Sequence, residues 1–412
     1  MRILIVTQWF DPEPAFKGLI FAKQLQSAGN TVEVITGFPN YPGGTLYSNY
    51  KVKFFQKEIM DGIRVNRVPL YPSHNSSAIK RIFNYLSFAI SSCIYGIFAA
   101  SRSDIIYVYH PPLTVGLSVA IISRIRGVPF IVDINDLWPD TLAATNMVTH
   151  KRVLSLVETI CQWLYRQASY LVVGTPGLRK QLIARGVPAD KIDIIYNWCN
   201  EQALHVEDIE EQDHYGLKNR FNIVFAGTMG KAQALKAVIH AAKRVQTLTP
   251  NVQFVFVGGG VEVENLKALK DRINVDNLIF LPLMPVNEIG RVLNAADVLL
   301  VHLKDDPLFE ITLPSKTQAY MSVGKPILMA VKGDAAQLIK SSGGGCCALP
   351  ENEISLAETV VKMANLPAKT LVEMGNSNKR FYKENLSLAV GSEKFLSIFK
   401  LILSSSELRK FK

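Results

Sequence analysis

Short apolar runs alternate with longer amphipathic stretches along most of the chain. Because strands that alternate with helices are typical of a parallel sheet covered by helices, the pattern predicts an α/β fold. In the first half, the predicted strands are 3–7, 31–36, 63–68, 105–109, 130–133, 170–173 and 192–196. In the second half, they are 222–226, 253–257, 278–281, 298–303, 326–329 and 346–349. A helix at 18–28, which Gly29 ends, separates the first two strands.

A polar, acidic segment at 200–220 separates the two halves and is the predicted linker. The chain has 412 residues, which is too many for one core of about 150–200 residues. We therefore predict an α/β domain at 1–200, a second α/β domain at 201–385 and a final helix at 386–412 that packs back toward the first domain. Ligands of open α/β sheets lie beyond the carboxyl ends of the strands, so a cleft between the domains is the expected site.

Hydrophobic residues make up 48% of the chain and charged residues 19%, which is typical of a globular protein. Lysine and arginine exceed aspartate and glutamate by 45 − 35 = 10 residues, which favours an anionic partner: nucleic acid, lipid headgroups or phosphorylated molecules. The basic residues are scattered and are not clustered with aromatic residues, which disfavours nucleic acid. An odd number of cysteines without a C-x-x-C pair indicates reduced thiols in the cytosol.

The segment 82–100, "IFNYLSFAISSCIYGIFAA", contains no charged residue and is flanked by Lys80, Arg81 and Arg102. Its length is near the lower limit of a membrane span, but serines, an asparagine and a glycine dilute its apolar character. A span would also place strands of one predicted sheet on opposite sides of a bilayer, which excludes it. Two alternatives stay open: a buried helix, or a helix that lies on a membrane surface.

Several motifs of nucleotide and hydrolytic sites are missing from the sequence. The three glycines at 258–260 continue as Val-Glu-Val, so the dinucleotide fingerprint G-x-G-x-x-G fails there. The chain also has no P-loop, no H-E-x-x-H and no G-x-S-x-G. It has no Asp-x-Asp motif that would hold a metal-bound sugar nucleotide, so metal dependence is not indicated.

Two turns in the second half join a strand to a helix and carry glycine and lysine. In "VFAGTMGKAQAL", 224–235, Gly227 and Gly230 would let a ligand approach the backbone on either side of Thr228, and Lys231 suits a phosphate. The alternative is an ordinary turn whose lysine lies in solvent.

The second turn is "LPSKTQAYMSVGKPI", 313–327, which predicts a helix with Ser315 as its N-cap and with Gly324 and Pro326 at its end. Lys316 then lies in the first helical turn, where the helix dipole disfavours a cation. A cation in that place predicts an anionic ligand. The alternative is a lysine bent into solvent.

Polar residues also follow two strands in the first half. The segment "IVDINDLWPD", 131–140, places Asn135 and Asp136 at a strand end, and "VYHPPL", 108–113, places His110 at another. Polar side chains at the ends of strands that face a cleft are candidates for a binding site. The alternative is that they cap their own turns.

Together these turns resemble the retaining glycosyltransferases of family 4, and the resemblance covers nearly the whole chain. Three blocks carry it: "FEITLPSKTQAYMSVGKPILMAVKGDAAQLI" (309–339), "AGTMGKAQAL" (226–235) and "INDLWPD" (134–140). They are similar to the bacterial branch that adds sugars to lipid-linked O-antigen or capsule precursors. Within that branch, "IIYNWCNE" (194–201) and "PSKTQAYM" (314–321) are similar to N-acetyl-L-fucosaminyl transferases.

The resemblance implies a GT-B fold of two Rossmann-like α/β domains. It also implies transfer of a sugar from a UDP-sugar to a polyprenyl-diphosphate-linked saccharide, without a metal or other cofactor. Lys231 and Lys316 would hold the diphosphate of the donor and stabilise its charge as it leaves. The other residues implied on the donor side are Gly227, Thr228, Leu281, Pro282, Glu310, Ser315 and Gln318.

Two departures from the family pattern concern residues near the reaction. A glutamate that contacts the nucleotide ribose in many members falls on Ala319, and the nearby Gln318 is the candidate substitute. The acceptor-side histidine of the family falls on Asn135, while Asp136 is kept. We expect Asn135 and Asp136 to act at the catalytic centre.

The acceptor side is also altered in the first loop. The glycine-rich loop of the family is reduced to "EPAFKGL", which leaves Gly18 and Lys17 as predicted acceptor contacts, together with His110.

A polyprenyl-linked acceptor is held in a bilayer, so the resemblance implies a cytoplasmic protein at the cytoplasmic face of the inner membrane. The expected membrane surface is 82–100, with Phe88 and Ile97 as apolar contacts. Its expected basic neighbours are Lys80, Arg81, Arg102, Arg124 and Arg126.

Two other functions stay open. A sugar-nucleotide 2-epimerase of the same fold would need acid and base groups around the sugar, and only Asp136 and Glu310 are candidates. A non-catalytic module that binds a sugar nucleotide or a lipid headgroup is favoured by Ala319 and Asn135. An epimerase needs no acceptor, and a binding module releases no nucleoside diphosphate, so both are distinguishable from a transferase.

Overall fold

The chain forms two compact units. The computed structural model describes residues 1–15, 17–73, 78–144, 147–204 and 215–410. The first unit is Met1–Tyr196 together with Leu388–Lys412, and the second is Asn197–Ser387. The middle of the predicted linker, 205–214, lies outside the described residues, as does Phe16 in the shortened first loop.

The first unit contains an eight-stranded sheet with the order β3-β4-β2-β1-β5-β6-β7-β8. All neighbouring strands are parallel except β3 and β4. Its strands are β1 Arg2–Val6, β2 Thr31–Gly37, β3 Gln56–Met60, β4 Ile63–Val68, β5 Ile105–His110, β6 Phe130–Ile134, β7 Tyr170–Val173 and β8 Ile192–Ile194. Each predicted strand of the first half is therefore present.

The strand β3 was not predicted. Its sequence, "QKEIM", is polar, because it is an edge strand without a fully buried residue. The turn that joins it to β4 consists of Asp61 and Gly62, which both have positive φ values of 47° and 84°. Asp-Gly between two short strands is a typical hairpin turn, and it is the signal that could have identified β3.

Helices cover both faces of this sheet. They are α1 Leu19–Ser27, α2 Ala78–Phe98, α3 Leu113–Arg126, α4 Asp140–Ala144, α5 Lys151–Gln167 and α6 Pro176–Ala184. The final helix of the chain, Leu388–Lys410, also belongs to this unit. Its Phe395 ring packs against Phe21 of α1 and Tyr107 of β5, with ring centres 5.3 and 5.5 Å apart.

The helix α2 contains most of the uncharged segment 82–100, and it is amphipathic. Its inner side contains Asn84, Phe88 and Ser92, which are buried. Phe88 was expected to face a membrane, and this is wrong, because its side chain is 0% exposed in the core. The outer face of α2 carries exposed apolar residues, which are Ile79, Ile82, Phe83, Leu86, Ile90, Ile94 and Phe98. No helix in the described part of the chain is both long enough and apolar enough to cross a membrane.

The second unit contains a six-stranded parallel sheet with the order β11-β10-β9-β12-β13-β14. Its strands are β9 Phe221–Ala226, β10 Val252–Val257, β11 Leu278–Leu281, β12 Val298–His302, β13 Ile327–Ala330 and β14 Gly345–Cys347. Its helices are α7 Glu201–Leu204, α8 Lys236–Leu248, α9 Val263–Arg272, α10 Val286–Ala295, α11 Pro307–Glu310, α12 Ser315–Val323, α13 Asp334–Ser342, α14 Glu353–Ala364 and α15 Ala368–Asn385. The final helix Leu388–Lys410 is therefore α16.

The core of the second unit lies between this sheet and its helices. The strand β10 is buried along its whole length, and Phe225 and Phe256 from β9 and β10 pack edge to face in the core. Continuous apolar strands of this kind are typical of a parallel sheet covered on both faces.

Candidate functional site

A tyrosine fixes the end of β9 against α12. The hydroxyl of Tyr320 accepts a hydrogen bond from the Ala226 amide (2.8 Å) and donates one to the Ala226 carbonyl (3.2 Å). Ala226 is the last residue of β9, and Gly227 follows it directly. The glycine turn and the helix α12, which were predicted separately, are therefore parts of one site.

Lys316 projects from the first turn of α12 toward the glycine turn. Its Nζ lies 3.4 Å from the centre of the Phe225 ring and is buried, with no hydrogen-bond partner among the described residues. A Cβ on Gly227 would lie 3.4 Å from the same Nζ, and Gly227 has a φ of +133°, which glycine alone adopts readily. Burial lowers the pKa of Lys316 to about 7. A buried cation without a partner favours the arrival of an anion.

The first turn of α12 adds free backbone donors. The helix begins at Ser315 with Pro314 as its N-cap, so the prediction that Ser315 is the N-cap is wrong by one residue. The Thr317 amide donates to the Pro314 carbonyl (2.8 Å), whereas the amides of Ser315 and Lys316 have no acceptor in the described parts of the chain. The helix ends at Gly324 in the left-handed conformation, as predicted.

The glycine turn offers one amide fewer than expected. The Gly227 amide donates to the Val257 carbonyl (2.9 Å), so it is not available to a ligand as predicted. The Thr228 amide has no acceptor among the described residues. A Cβ on Gly258 would lie 2.2 Å from the Gly227 carbonyl oxygen, so this glycine allows two turns to pack backbone to backbone. Lys231 is exposed at the start of the 3-10 turn Lys231–Gln233.

Gln318 does not point toward a ligand. Its side chain is 2% exposed, and its amide nitrogen, in the orientation that satisfies both acceptors, donates to the Pro314 and Ser315 carbonyls at 2.9 Å each. Its polar group is therefore used at the start of its own helix. This contradicts the prediction that Gln318 replaces the ribose-contacting glutamate.

The remaining predicted donor residues lie at the same edge of the second sheet. Leu281 ends β11 and is partly buried, and Pro282 follows it and is exposed. Glu310 is exposed at the end of α11. Its backbone is held close to Gly333, because a Cβ on Gly333 would lie 1.9 Å from the Glu310 carbonyl oxygen.

In the first unit, His110 ends β5 and is fully buried. Both of its ring nitrogens lack a hydrogen-bond partner among the described residues, and burial lowers its pKa to about 4. The ring of Trp138 lies against it edge to face, with the ring centres 5.9 Å apart. A neutral imidazole with two unused nitrogens can bond the hydroxyl groups of a ligand.

Asn135 and Asp136 follow β6, next to His110. The Asn135 amide donates from Nδ2 to Asp133 Oδ1 (3.1 Å), and the Tyr107 hydroxyl donates to Asp133 Oδ2 (2.6 Å). Asp136 is partly buried, and desolvation raises the pKa of its carboxyl group. A raised carboxyl pKa brings proton exchange closer to neutral pH.

Lys17 is already paired with a carboxylate inside the first unit. Its Nζ lies 3.6 Å from Asp133 Oδ2, and both side chains are 1% exposed. Phe395 of α16 lies beside it, with its ring centre 5.4 Å from Nζ. This placement contradicts the predicted acceptor contact. Lys17 instead neutralises Asp133, which in turn orients Asn135.

The space at Gly18 is occupied by a carboxylate from the chain itself. The Leu19 amide at the start of α1 donates to Asp11 Oδ2 (2.6 Å), and a Cβ on Gly18 would lie 2.2 Å from the same oxygen. An anionic acceptor group would be repelled there. This speaks against the predicted acceptor contact at Gly18.

A buried polar cluster at the carboxyl edge of the first sheet was not predicted. Burial raises the pKa of Glu13 to about 7, and Gln8 has a buried Oε1 without a partner among the described residues. Glu13 accepts hydrogen bonds from the amides of Phe10, Asn40 and Tyr41, at 3.2, 2.7 and 2.7 Å. The signal in the sequence is the polar residues after β1 and β2, in "TQWFDPE" and "FPN".

No group of three or more His, Cys, Asp or Glu side chains in the described residues could hold a metal ion. Metal independence stays a prediction.

Comparisons with known proteins connect both halves of the chain to glycosyltransferases. The "Putative colanic acid biosynthesis glycosyl transferase WcaI" of Escherichia coli (strain K12) is 24% identical over 404 residues, which are 94% of this chain and 98% of that protein. The structure of Anabaena Alr3699/HepE in complex with UDP and glucose matches with a TM-score of 0.71 and 16% identity, over 97% of this chain and 99% of that one. A sucrose-phosphate synthase from Thermosynechococcus elongatus matches with a TM-score of 0.75 and 14% identity, over 98% and 99%.

Two family models cover most of the sequence. "Glycosyl transferase 4-like domain" matches 21–198, and "Glycosyl transferases group 1" matches 207–381. The two Rossmann-like α/β units and the likeness to the solved structures agree with the GT-B fold. The chain therefore belongs to the GT-B glycosyltransferases, with a 4-like first domain and a group 1 second domain.

Proposed function

We propose that this glycosyltransferase is a retaining enzyme that moves a sugar from a UDP-sugar to a lipid-diphosphate-linked saccharide in bacterial O-antigen or capsule assembly. N-acetyl-L-fucosamine is the first donor sugar to test. No metal takes part in the proposed reaction. The colanic acid relative supports a role in polysaccharide assembly, and the solved Anabaena neighbour with bound UDP and glucose supports a UDP-sugar donor.

The observation that carries the proposal is the buried, unpartnered Nζ of Lys316 beside Gly227. The amides of Thr228, Ser315 and Lys316 have no acceptor in the described residues, so one cation and three N–H donors are available at the end of β9 and the start of α12. A helix N-terminus with free amides is a common site for phosphate. The diphosphate of a nucleotide sugar supplies both the charge and the acceptor oxygens that this site lacks.

In the proposed reaction, the bond from the anomeric carbon to the diphosphate breaks as the acceptor hydroxyl approaches from the same face. Lys316, the amides of α12 and the exposed Lys231 stabilise the charge on the leaving diphosphate. A diphosphate oxygen then takes the acceptor proton. His110 and Asn135 bind sugar hydroxyl groups, and Asp136 interacts with the acceptor hydroxyl.

The proposed position is peripheral, on the cytoplasmic face of the inner membrane. The exposed apolar residues in the first half of α2, such as Ile82 and Phe83, would enter the lipid interface, and the exposed cations Lys80, Arg102 and Arg124 would meet anionic headgroups. Arg126 has another role, because it donates to the carbonyls of Gly96 (2.9 Å) in α2 and Ser101 (2.8 Å) after it.

The experiment that tests the enzymatic proposal is a screen of UDP-sugars with a synthetic lipid-diphosphate-linked monosaccharide. Release of UDP and a product with the anomeric configuration of the donor are expected, with and without EDTA. An epimerase would convert the donor without acceptor, and a binding module would release no UDP. A product with the opposite anomeric configuration would contradict the retaining mechanism.

The membrane position is tested separately by flotation with vesicles that contain anionic lipid. Ile82→Glu together with Phe83→Glu changes two exposed residues of α2 and is expected to abolish flotation. Circular dichroism serves as the folding control. Equal flotation of the folded variant and the wild type would reject α2 as the membrane contact.

A further inference from the structure

A groove runs along the outer side of α2 in the first unit, with a volume of about 590 Å³. This volume lies within the range of about 300–1,000 Å³ for sites that hold small molecules. One wall is α2, with Ile90, Ile94 and Phe98. The segment before β3, with Phe54 and Phe55, and Leu70 after β4 also line the groove.

The polar side chains in the lining are already hydrogen-bonded within the protein. Ser91 donates to the Pro69 carbonyl (2.6 Å), and the Tyr95 hydroxyl donates to Asn66 Oδ1 (2.8 Å). Ser87 accepts from the Tyr71 amide (2.8 Å). A peptide or a sugar in this groove would lose its hydrogen bonds to water without replacement, which costs free energy. The lining therefore favours a hydrocarbon.

Cations lie at one end of the groove. Lys57 lines it and is exposed, and it pairs in β3 with Asn66, two residues before the end of β4. The segment "KVKFFQK", 51–57, holds two more exposed lysines beside Phe54. The next acid, Glu58, is paired with the buried Arg67 and does not neutralise them. An occupant with an anionic group next to its hydrocarbon matches this charge pattern.

The groove begins at the carboxyl edge of the sheet, where His110 and Asn135 lie. Its residues at that end, 68–70, lie at and just after the end of β4, and its lining on and just after α2 extends from residue 87 to residue 99. At 1.5 Å per residue, this part of α2 is about 18 Å long. Two strands separate β4 from β5, so the groove begins about 14 Å from His110 across the sheet. An acceptor whose tail lies in the groove would have its diphosphate and sugars along this edge of the sheet, toward His110.

We propose that the groove binds the isoprenoid tail of the lipid-linked acceptor, with the adjoining diphosphate at Lys57. The inference rests on the proposed function and deepens it, because it separates recognition of the acceptor tail from binding to the bilayer. A bilayer would contact the exposed residues Ile79, Ile82 and Phe83 near the start of α2. The groove, whose lining on α2 begins at Ser87, would instead hold a single isoprenoid chain.

The structure offers a matched pair of variants. Ile94 lines the groove and is 53% exposed, whereas Ile82 lies on the same helix outside the groove and is 52% exposed. Substitution of either by glutamate should leave the fold intact, which circular dichroism and the melting temperature verify. A milder variant, Ile94→Ser, keeps the test valid if Ile94→Glu does not fold.

The binding experiment uses the full chain in vesicle-free buffer and a fluorescent anthraniloyl analogue of farnesyl diphosphate as the probe. We expect Ile94→Glu and Ile94→Ser to weaken binding at least tenfold and Ile82→Glu to change it less than twofold. Lys57→Glu should weaken binding of the probe but not that of the corresponding uncharged alcohol. Equal binding by the wild type and the folded Ile94 variants would overturn the proposal. Equal competition by palmitate would also overturn it, because the groove would then be a general acyl-chain site.

Transfer assays separate this inference from the proposed function. With a tail-bearing acceptor, the Ile94 variants should have a KM at least tenfold higher, while their kinetics with a tail-less sugar diphosphate stay unchanged. If the wild type transfers sugar to neither acceptor, the proposed function fails while the binding result still stands. If the Ile94 variants lose both acceptors equally, the groove does not recognise the tail.

Discussion

The Nζ atom of Lys316 lies 3.4 Å from the centre of the Phe225 ring and has no hydrogen-bond partner in the described structure. The face of an aromatic ring attracts a cation, by about 0.5–2 kcal/mol, which is less than the hydration that a buried ammonium group loses. Phe225 therefore positions Lys316 without neutralising it. The start of α12 therefore carries an uncompensated charge that an anionic ligand would neutralise.

Replacement of Lys316 by alanine should reduce kcat by about 100- to 1,000-fold, because one preorganised donor to the leaving diphosphate is lost. The fold should be kept, since the change removes a buried charge without a partner. Lys369→Ala, at an exposed position at the start of α15, is the control and should have normal kcat. Near-normal turnover of Lys316→Ala would contradict the assignment, and melting curves would show whether the variant is folded.

The affinity for a UDP-sugar should fall as the pH rises above about 7. Burial lowers the pKa of Lys316 to about 7, so the ligand-free protein is increasingly neutral there above this pH. Diphosphate binding favours the ammonium form of Lys316, so above pH 7 binding is coupled to the uptake of a proton. The affinity should therefore fall by at most tenfold for each pH unit. Calorimetry with UDP-glucose, whose diphosphate does not titrate in this range, measures the uptake in buffers of different ionisation heat. Lys316→Arg should show no such slope, and a flat wild-type profile would contradict the prediction.

Tyr320→Phe tests the connection between α12 and the end of β9. The ring stays, but the Ala226 amide loses its acceptor in a buried place, which should destabilise the second unit by about 1–3 kcal/mol. We also expect weaker UDP-sugar binding, because Gly227 and Lys316 lose their fixed separation. Urea unfolding and calorimetry measure the two effects. Tyr170→Phe removes a hydroxyl that donates to Asp193 at an exposed site (3.1 Å), and it should change neither.

The alternation of strands and helices could be predicted from the sequence because buried parallel strands are continuous apolar runs. The exception, β3, is polar since one of its edges and one of its faces are solvated, and only its Asp61-Gly62 turn identifies it. The direction of Phe88 could not be predicted. The buried side of α2 includes the polar Asn84 and Ser92, whereas its exposed side is apolar, so its sequence does not distinguish the core face from the exposed face.

The candidate site was predictable where local sequence determines it. The glycine turn, Lys316 and the end of α12 at Gly324 follow from residue types at fixed spacing. Gln318 turns inward because the backbone at the start of its own helix presents two carbonyl groups to it. Lys17 is buried because its partners come from segments that are distant in sequence. Lys17 is the clearest case, because its partner Asp133 is on another strand and its neighbour Phe395 is near the other end of the chain.

The buried pair of Lys17 and Asp133 should be far more important for stability than an exposed pair of the same residue types. Lys17→Met leaves Asp133 charged and buried, which should cost about 3–5 kcal/mol in the first unit. Adding Asp133→Asn should recover part of this loss, because the uncompensated charge disappears. The control is Lys23→Met, which breaks a pair with Asp61 that has side chains 48% and 59% exposed. It should cost less than about 1 kcal/mol.

Urea unfolding followed by tryptophan fluorescence measures these variants, because Trp9, Trp138 and Trp163 lie in the first unit. The double variant decides between two explanations of the Lys17 effect. If Lys17→Met is destabilising only because packing is lost next to Phe395, adding Asp133→Asn will recover nothing. If the charge of Asp133 is the cause, the double variant will be more stable than Lys17→Met alone. Recovery of stability without recovery of transfer would then show that Asp133 is also needed to orient Asn135.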